Sequence, residues 1–400
     1  SRSMQPSDFR KRNVKMTEVS YPEISFIRSN IPKISQLSDG IIAMEESGIY
    51  TNYGPINQKF EKRLIEQMFG GVGQCVTVCN ATIGLMMALK YVTRHTTPER
   101  TPYIIMPSFT FAAAAHAVLW AGFTPLFCDI DPLDWMASHQ AEDELLHRYD
   151  GEIAAIFPYA TFGNATDIAR YTELEKKTGI PAVIDAAASL GAHDAQGQGF
   201  GCGSPHAIVC SLHATKTMGI GEGGFIYANN PDMIAALRAM GNFGFGQVRH
   251  ATMPGLNSKL PEIGALLALS GLDHLDGVVR KKVQIEQLYY ELLPGFEFQQ
   301  QRGTRTSYQF LPVRLPAHLV PYRGAILERM KNRRIGTSTY FSPHLHEQSY
   351  FAAHSVAGDL GTTRALSASI VSLPLWHEMT PEMVRYVCRE FRNACAAHDM

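Results

Sequence analysis

Short apolar runs alternate with Ala- and Leu-rich stretches from about residue 72 to residue 228. The runs QCVTVC, PYIIMP, TPLFCDI, EIAAIFP, PAVIDA, HAIVCSLH and GGFIYAN predict seven strands. Between them, ATIGLMMALKYV, FAAAAHAVLWAG, the segment near AEDELLHRY and ARYTELEKKTG predict helices. Strand–helix alternation of this kind predicts an α/β fold, a mostly parallel sheet with helices on both faces. Ligands of such sheets sit at the carboxyl ends of the strands, which is where chemistry is to be sought.

The rhythm changes after about residue 255. A long helical run, PEIGALLALSGLDHLDGVVRKKVQIEQLYYELL, leads into the β-like SYQFLPVRL, then into helical stretches around AILERMKNRR and PEMVRYVCREFRNACAAH. The expected organisation is a large α/β domain over residues 20–265, including an N-terminal helical segment, and a smaller C-terminal α+β domain over residues 266–400. The long helix can serve either unit, so the boundary between them is soft.

Composition narrows the class. Of 400 residues, 45% are hydrophobic and 18% charged, which suits a globular chain and argues against disorder. The formal net charge is -1 and no polybasic run occurs, so a nucleic-acid or anionic-membrane surface is not expected and a small-molecule partner is. The seven cysteines form no CxxC pair and several lie in strand-like runs, which reads as reduced, buried thiols in a cytoplasmic protein. The N-terminal SRSMQPSDFRKRN lacks the apolar core of a signal peptide, and no apolar run is long enough to span a bilayer.

Candidate chemistry concentrates in four places. In HATKTMGIGEGGF, Lys216 follows a strand and lies among small residues and glycines. Glycines leave room for a planar cofactor around a Schiff-base amine, and desolvation activates such an amine. GIGEGG (Gly219, Gly221, Gly224) also matches GxGxxG, but a dinucleotide site needs a helix after it and FIYAN looks like a strand. In PAVIDAAASLG, Asp185 closes an apolar strand; it either caps the next helix or pairs with the protonated nitrogen of a pyridine ring. At VTVCNATIGLMMAL a strand ends on Asn80 and a helix starts near Ala81, so the turn is either a plain Asn cap or a phosphate cradle built from helix amides. Ser211 offers a hydroxyl five residues before Lys216, and Phe111 places a flat ring where a strand passes into a helix. His344 and His346 form HxH with no carboxylate or cysteine at metal-ligand spacing, so no metal is expected.

Taken in order, NAT, PSFTF, IDAAAS, SLHATK with GEGG, NFGF and GLNSKLPE resemble the sugar aminotransferase family of fold-type I pyridoxal-phosphate enzymes, the DegT/DnrJ/EryC/StrS group. The resemblance runs from YTNYGP and FEKRL to YFSPHLH and SLPLW, which is most of the chain. It implies a Schiff base and proton shuttle at Lys216, a pyridine-nitrogen partner in Asp185 and a stacking ring in Phe111. It implies a phosphate site from the amides of Ala81 and Thr82 with the Ser211 hydroxyl. It also implies that Asn242, in GNFGF, reaches the phosphate of a neighbouring subunit, so that a homodimer shares its active sites.

Two positions depart from the family. Ala188 stands where members carry Gln or His beside the cofactor ring, and Lys259 stands where many carry Arg. Lys259, Tyr340, His346 and Asn52 are the expected substrate contacts. The resemblance further implies pyridoxal 5'-phosphate cycling through pyridoxamine 5'-phosphate, with glutamate as donor. The expected acceptor is a nucleotide-linked keto-deoxy sugar, and YTNYGP, SLHATK and NFGF look most like enzymes forming dTDP-4-amino-4,6-dideoxyglucose. A 3-keto sugar aminotransferase, a pyridoxal-phosphate-binding regulatory module and a nicotinamide oxidoreductase built on GIGEGG are the alternatives. Pyridoxamine-dependent sugar dehydratases carry His where this chain has Lys216.

Overall fold

The computed structural model describes residues 23–398; the stretch read for a signal peptide and the first residues of the expected large domain lie outside them. Two helices, α1 (Ser38–Ser47) and α2 (Pro55–Met68), precede the alternating region. That region then runs β1 (Gln74–Val78), α3 (Ala81–Val92), β2 (Tyr103–Pro107), α4 (Ala112–Trp120), β3 (Thr124–Cys128), α5 (His139–Arg148), β4 (Ile153–Ile156), α6 (Ile168–Thr178), β5 (Val183–Asp185), β6 (Ala207–Ser211), β7 (Gly224–Ala228) and α7 (Pro231–Met240). All seven expected strands form, and their interiors are buried on both faces, as continuous apolar runs require.

The strands make two four-stranded ladders, β1-β7-β6-β5 and β10-β3-β2-β4, where β10 is the two-residue Val356–Ala357. Parallel bridges Ile156↔Ala182 and Tyr159↔Asp185 join β4 to β5, with Ile156 N–H donating to Pro181 O at 2.9 Å and Asp185 N–H to Pro158 O at 3.0 Å. The result is one sheet in the order β1-β7-β6-β5-β4-β2-β3-β10. Only β7 runs against its neighbours. The structure adds β10 to the seven expected strands; two residues are too short to register as a strand in the sequence.

Because β7 is antiparallel, its first residue, Gly224, lies at the same edge as the carboxyl ends of β1, β5 and β6. A Cβ at Gly224 would sit 2.8 Å from Cys210 O and 3.0 Å from Ala81 N. The last glycine of GEGG is thus a packing requirement that lets α3 begin directly against the sheet.

The long run expected after residue 255 is one helix, α8 (Glu262–Leu292), of 31 residues. Its buried Glu262 caps α2, with Oε2 accepting from Ile56 N at 2.8 Å and Oε1 from Asn57 N at 3.0 Å. An anion suits that helix N-terminus. Beyond α8 come β8 (Glu297–Phe298), β9 (Leu311–Arg314), α9 (Arg323–Asn332), α10 (Ser349–Ala353), α11 (Gly361–Ser369), β11 (Ile370–Leu373) and α12 (Pro381–Ala396). Strands β11-β9-β8 form an antiparallel sheet. Ile285 and Tyr289 of α8, Leu311 and Val313 of β9, and Val387 and Phe391 of α12 share its core. Of SYQFLPVRL only the second half is strand; Ser307–Phe310 approach it as a loop directed at the large sheet. No helix among the described residues is long and apolar enough to cross a membrane.

Candidate active site

A cavity of about 530 Å³ opens at the carboxyl edge of the sheet. Lys216, Asp185, Phe111, Ala81, Thr82, Ser211, Ala188 and Tyr340, drawn from five separate segments, all line it. A larger hollow of about 1000 Å³, bordered by Asp134, Glu173, Asp194 and Arg302, contains no lysine and none of the residues singled out in the sequence. Chemistry therefore points to the smaller one.

Asp185 ends β5 and is 4% exposed. Its Oδ1 accepts from Ala187 N–H at 3.1 Å. Burial pushes its carboxyl up to about 6, against the Ala187 N–H and the nearby Lys216 charge, which both pull down. The residue starts no helix, so the capping alternative falls away: β5 is followed by a turn. A buried acid satisfied by one amide has unspent capacity for a cationic partner at the cavity floor.

Lys216 lies in the loop between β6 and β7, where its N–H donates to His213 O at 2.9 Å. Its Nζ donates to Gln309 Oε1 at 3.2 Å. The cavity leaves the side chain partly accessible, yet the dense surroundings lower the amine below the usual lysine value, opposed by Asp185 and Cys210. A buried lysine with a lowered proton affinity is the form a carbonyl-condensing amine needs.

Asn80 Oδ1 caps α3 by accepting from Ile83 N–H at 2.9 Å, so Asn80 is a helix cap. That bond takes the third amide of the helix and leaves the first two, Ala81 and Thr82, at the cavity. The cap therefore does not consume the two amides that an anion would need. Ser211 Oγ accepts from His213 N–H at 3.1 Å, which leaves its proton for donation into the cavity. Phe111 sits at the N-cap of α4 with 58% of its surface exposed. An aromatic ring so exposed beside a cavity invites a flat ligand.

Four expected contacts lie outside this wall. Lys259 Nζ donates to Asn242 Oδ1 at 3.1 Å and stands 4.6 Å over the Phe243 ring, so those two residues pair with each other. Asn52 is exposed in a left-handed turn with φ 64°. His346 packs edge-on to Phe127 at 5.8 Å and its Nδ1 lies 3.1 Å from Ser355 Oγ. Tyr340, by contrast, stacks on Phe310 at 5.2 Å and borders the cavity. Ala188 contributes a methyl to the wall, and its carbonyl accepts from Ser307 Oγ at 2.7 Å.

Several lining residues carried no signal in the sequence. Gln309 arrives from 93 positions away. His213 and Glu222 flank Lys216 within its own loop, with His213 Nε2 3.7 Å from Glu222 Oε1 and His213 Nδ1 2.9 Å from Thr215 Oγ1. Their closeness to Lys216 in SLHATKTMGIGEGG was the available clue. Phe162, Phe310 and Phe341 give the cavity one aromatic side.

The donor set suits pyridoxal phosphate: an amine, an acid at depth, an exposed ring, and helix amides with a hydroxyl at the far end. It does not suit a dinucleotide at GIGEGG, because the turn runs into β7 and no helix starts there.

Comparison with known proteins agrees. The DegT/DnrJ/EryC1/StrS aminotransferase family pattern matches residues 34–392. Protein MT3510 of Mycobacterium tuberculosis (strain CDC 1551 / Oshkosh) is 30% identical over 379 residues, 93% of this chain and 90% of its own. A dTDP-4-amino-4,6-dideoxy-D-glucose transaminase of Shigella dysenteriae is 27% identical over 369 residues, 91% of this chain and 97% of its own. Among solved structures, a candidate PLP-dependent aminotransferase from Bacillus cereus ATCC 10987 superposes with a TM-score of 0.87 at 35% identity, covering 93% of this chain and 100% of its own. DesI, crystallised in the presence of its TDP-sugar product, superposes with a TM-score of 0.82 at 28% identity, covering 94% of this chain and 93% of its own. These matches span every element that frames the cavity, and the chain belongs to the DegT/DnrJ/EryC1/StrS family of pyridoxal-phosphate-dependent aminotransferases.

Proposed function

We propose that this enzyme moves an amino group from glutamate to a nucleotide-linked keto-deoxy sugar, with dTDP-4-keto-6-deoxyglucose as the acceptor. The observation that carries amino transfer is Lys216 in one cavity with buried Asp185. The sugar rests on the Shigella relative and on DesI, both associated by name with thymidine-diphosphate sugars.

Bound there, pyridoxal phosphate supplies an electron sink for the bond broken at the amine-bearing carbon. Lys216 would hold it through its side-chain amine and, with that amine free, would take the proton from the donor's α-carbon onto Nζ. Asp185 keeps the pyridine nitrogen protonated. The exposed Phe111 ring would pack against the cofactor ring. Ala81, Thr82 and Ser211 hold the phosphate with neutral donors, and Tyr340 contacts the acceptor. The acceptor half repeats these proton movements in reverse.

Asn242, Lys259, Asn52 and His346 do not reach the cavity of their own chain. In this reading Asn242, Lys259 and Asn52 serve the site of a second copy in a cytoplasmic homodimer, and His346 has a packing role. The working division is a large unit over residues 20–265 and a small one over residues 266–400.

Visible absorbance of the purified enzyme, followed on adding glutamate, tests the donor half. Loss of the cofactor's visible band supports it, and a band unchanged by glutamate points to another donor. Offering 4-keto and 3-keto nucleotide sugars, then locating the new amine by NMR, tests the acceptor. Amination at C3 alone would replace the 4-keto assignment. Lys216→Ala must lose multiple turnover by at least about 10³-fold, in line with the loss of nucleophile and general base together.

A further inference from the structure

We propose that Gln309 is the positioning residue that holds the Lys216 amine whenever that amine is not covalently engaged. The idea rests on the amino-transfer reading of the cavity and adds a residue to it.

Gln309 reaches Lys216 from a strap, Thr306–Gln309, that is fixed along its length. Thr306 Oγ1 donates to Glu286 on α8. Ser307 Oγ donates to Ala188 O at 2.7 Å, tying the strap to the loop after Asp185. Ser307 O accepts from Thr217 Oγ1 at 2.9 Å, tying it to the residue next to Lys216. Lys282, buried on α8, donates to Thr217 Oγ1 at 3.1 Å and holds that side from behind. Both ends of the Lys216–Gln309 bond are therefore attached to the same stitched segment, so its 3.2 Å geometry is built in.

The choice of partner matters chemically. Two side-chain amides line the cavity, and Asn80 is spent on the α3 cap. Gln309 is the one free to serve Lys216. As a neutral acceptor it fixes the amine without the full charge pairing a carboxylate would bring. Among the described residues Lys216 makes no ion pair with Asp185, so that acid stays available for the ring nitrogen. Ala188 adds only a methyl to the same cavity wall.

Asp185 from β5 and Cys210 from β6 act on the Lys216 amine through space, Gln309 of the strap hydrogen-bonds it, His213 and Glu222 of its own loop line the same cavity, and Lys282 of α8, with Arg28 and His377, borders a small neighbouring hollow that Lys216 also lines. An acceptor stabilises the ammonium form, so deleting it lowers proton affinity and replacing it with an anion raises it. The experiment is competitive labelling of Lys216 by cyanate in the cofactor-free protein, read by mass spectrometry against pH, for wild type, Gln309→Met and Gln309→Glu. Gln309→Met should displace the profile to lower pH and Gln309→Glu to higher pH. A displacement of about one pH unit is about tenfold in labelling rate below the midpoint. Gln309→Met should also lower kcat while leaving the donor KM within about twofold, the pattern of a reacting group held out of place.

Three superimposable labelling profiles would overturn the proposal. If Gln309→Met fails to fold, Gln309→Asn, which keeps the amide but draws it back from Lys216, takes its place: a profile moved to lower pH supports the contact and one that matches wild type overturns it. If wild type shows no absorbance change with pyridoxal phosphate while the profiles separate, the amino-transfer reading fails and the Gln309 contact stands.

Discussion

Lys282 donates to Thr217 Oγ1 at 3.1 Å, and Thr217 is the neighbour of Lys216. A second lysine is thus buried one residue's reach from the proposed catalytic lysine. Burial drops its amine to about 7, with Glu286 opposing. The folded value lies below the unfolded one, so between about pH 7 and 10.5 the unfolded chain binds the extra proton. The cost of burying the charge is present in full below pH 7 and is relieved as pH rises toward 10.5. Lys282→Met removes that dependence. In urea unfolding at pH 7 and pH 9.5, wild type should gain on Lys282→Met by on the order of 3 kcal/mol at the higher pH. Equal differences at both pH values would show that Lys282 is not buried as a charge. Turnover of the variant should fall several-fold, since Thr217 loses its tie to α8.

Asp185 is a liability when the cofactor is absent. Its folded value, about 6, lies above the unfolded 3.8. The folded chain holds the extra proton between those values, so stability falls as pH rises through that window and stays reduced above it. Asp185→Asn should melt higher than wild type in the cofactor-free form at pH 7.5 and converge with it near pH 4. The unfolding difference at neutral pH is about 3 kcal/mol at most. The same variant should slow the glutamate half-reaction on the order of 100-fold or more, as expected for losing one side of a buried ion pair. A variant less stable than wild type at pH 7.5 would mean the carboxylate already has a strong partner.

Phe111 should separate binding from folding. Because 58% of its surface is exposed, Phe111→Ala costs little stability, within about 0.5 kcal/mol. Loss of ring stacking removes about 0.5–1.5 kcal/mol, so equilibrium dialysis should show pyridoxal phosphate held roughly 2- to 10-fold less tightly. Unaltered retention would place the cofactor ring elsewhere.

The sequence carried the sheet because its strands are buried on both faces and so read as unbroken apolar runs between turn residues. Asp185, Phe111, Ala81 and Ser211 could be traced to the cavity because each stands at a strand end or helix start, and Lys216 because it lies among the small residues and glycines of the β6–β7 loop. Gln309 was not, because nothing local marks a glutamine that finds its partner 93 positions earlier through a folded strap. The strand SYQFLPVRL was half right for the same reason: residues before Leu311 answer to the cavity, not to β9. Lys259 and Asn242 sat in a recognisable stretch, yet they pair with each other outside this chain's cavity wall, a placement set by tertiary packing that no local pattern encodes.

The proposed phosphate site of Ala81, Thr82 and Ser211 is made of uncharged donors, and among the described residues the cavity wall around it has no arginine and no lysine besides Lys216. Mobile ions weaken attraction between exposed charges far more than short bonds from fixed dipoles in a sheltered slot. Dialysis against strong brine should therefore leave the protein coloured, and a colourless preparation should come instead from competing amines that take the aldehyde away from Lys216.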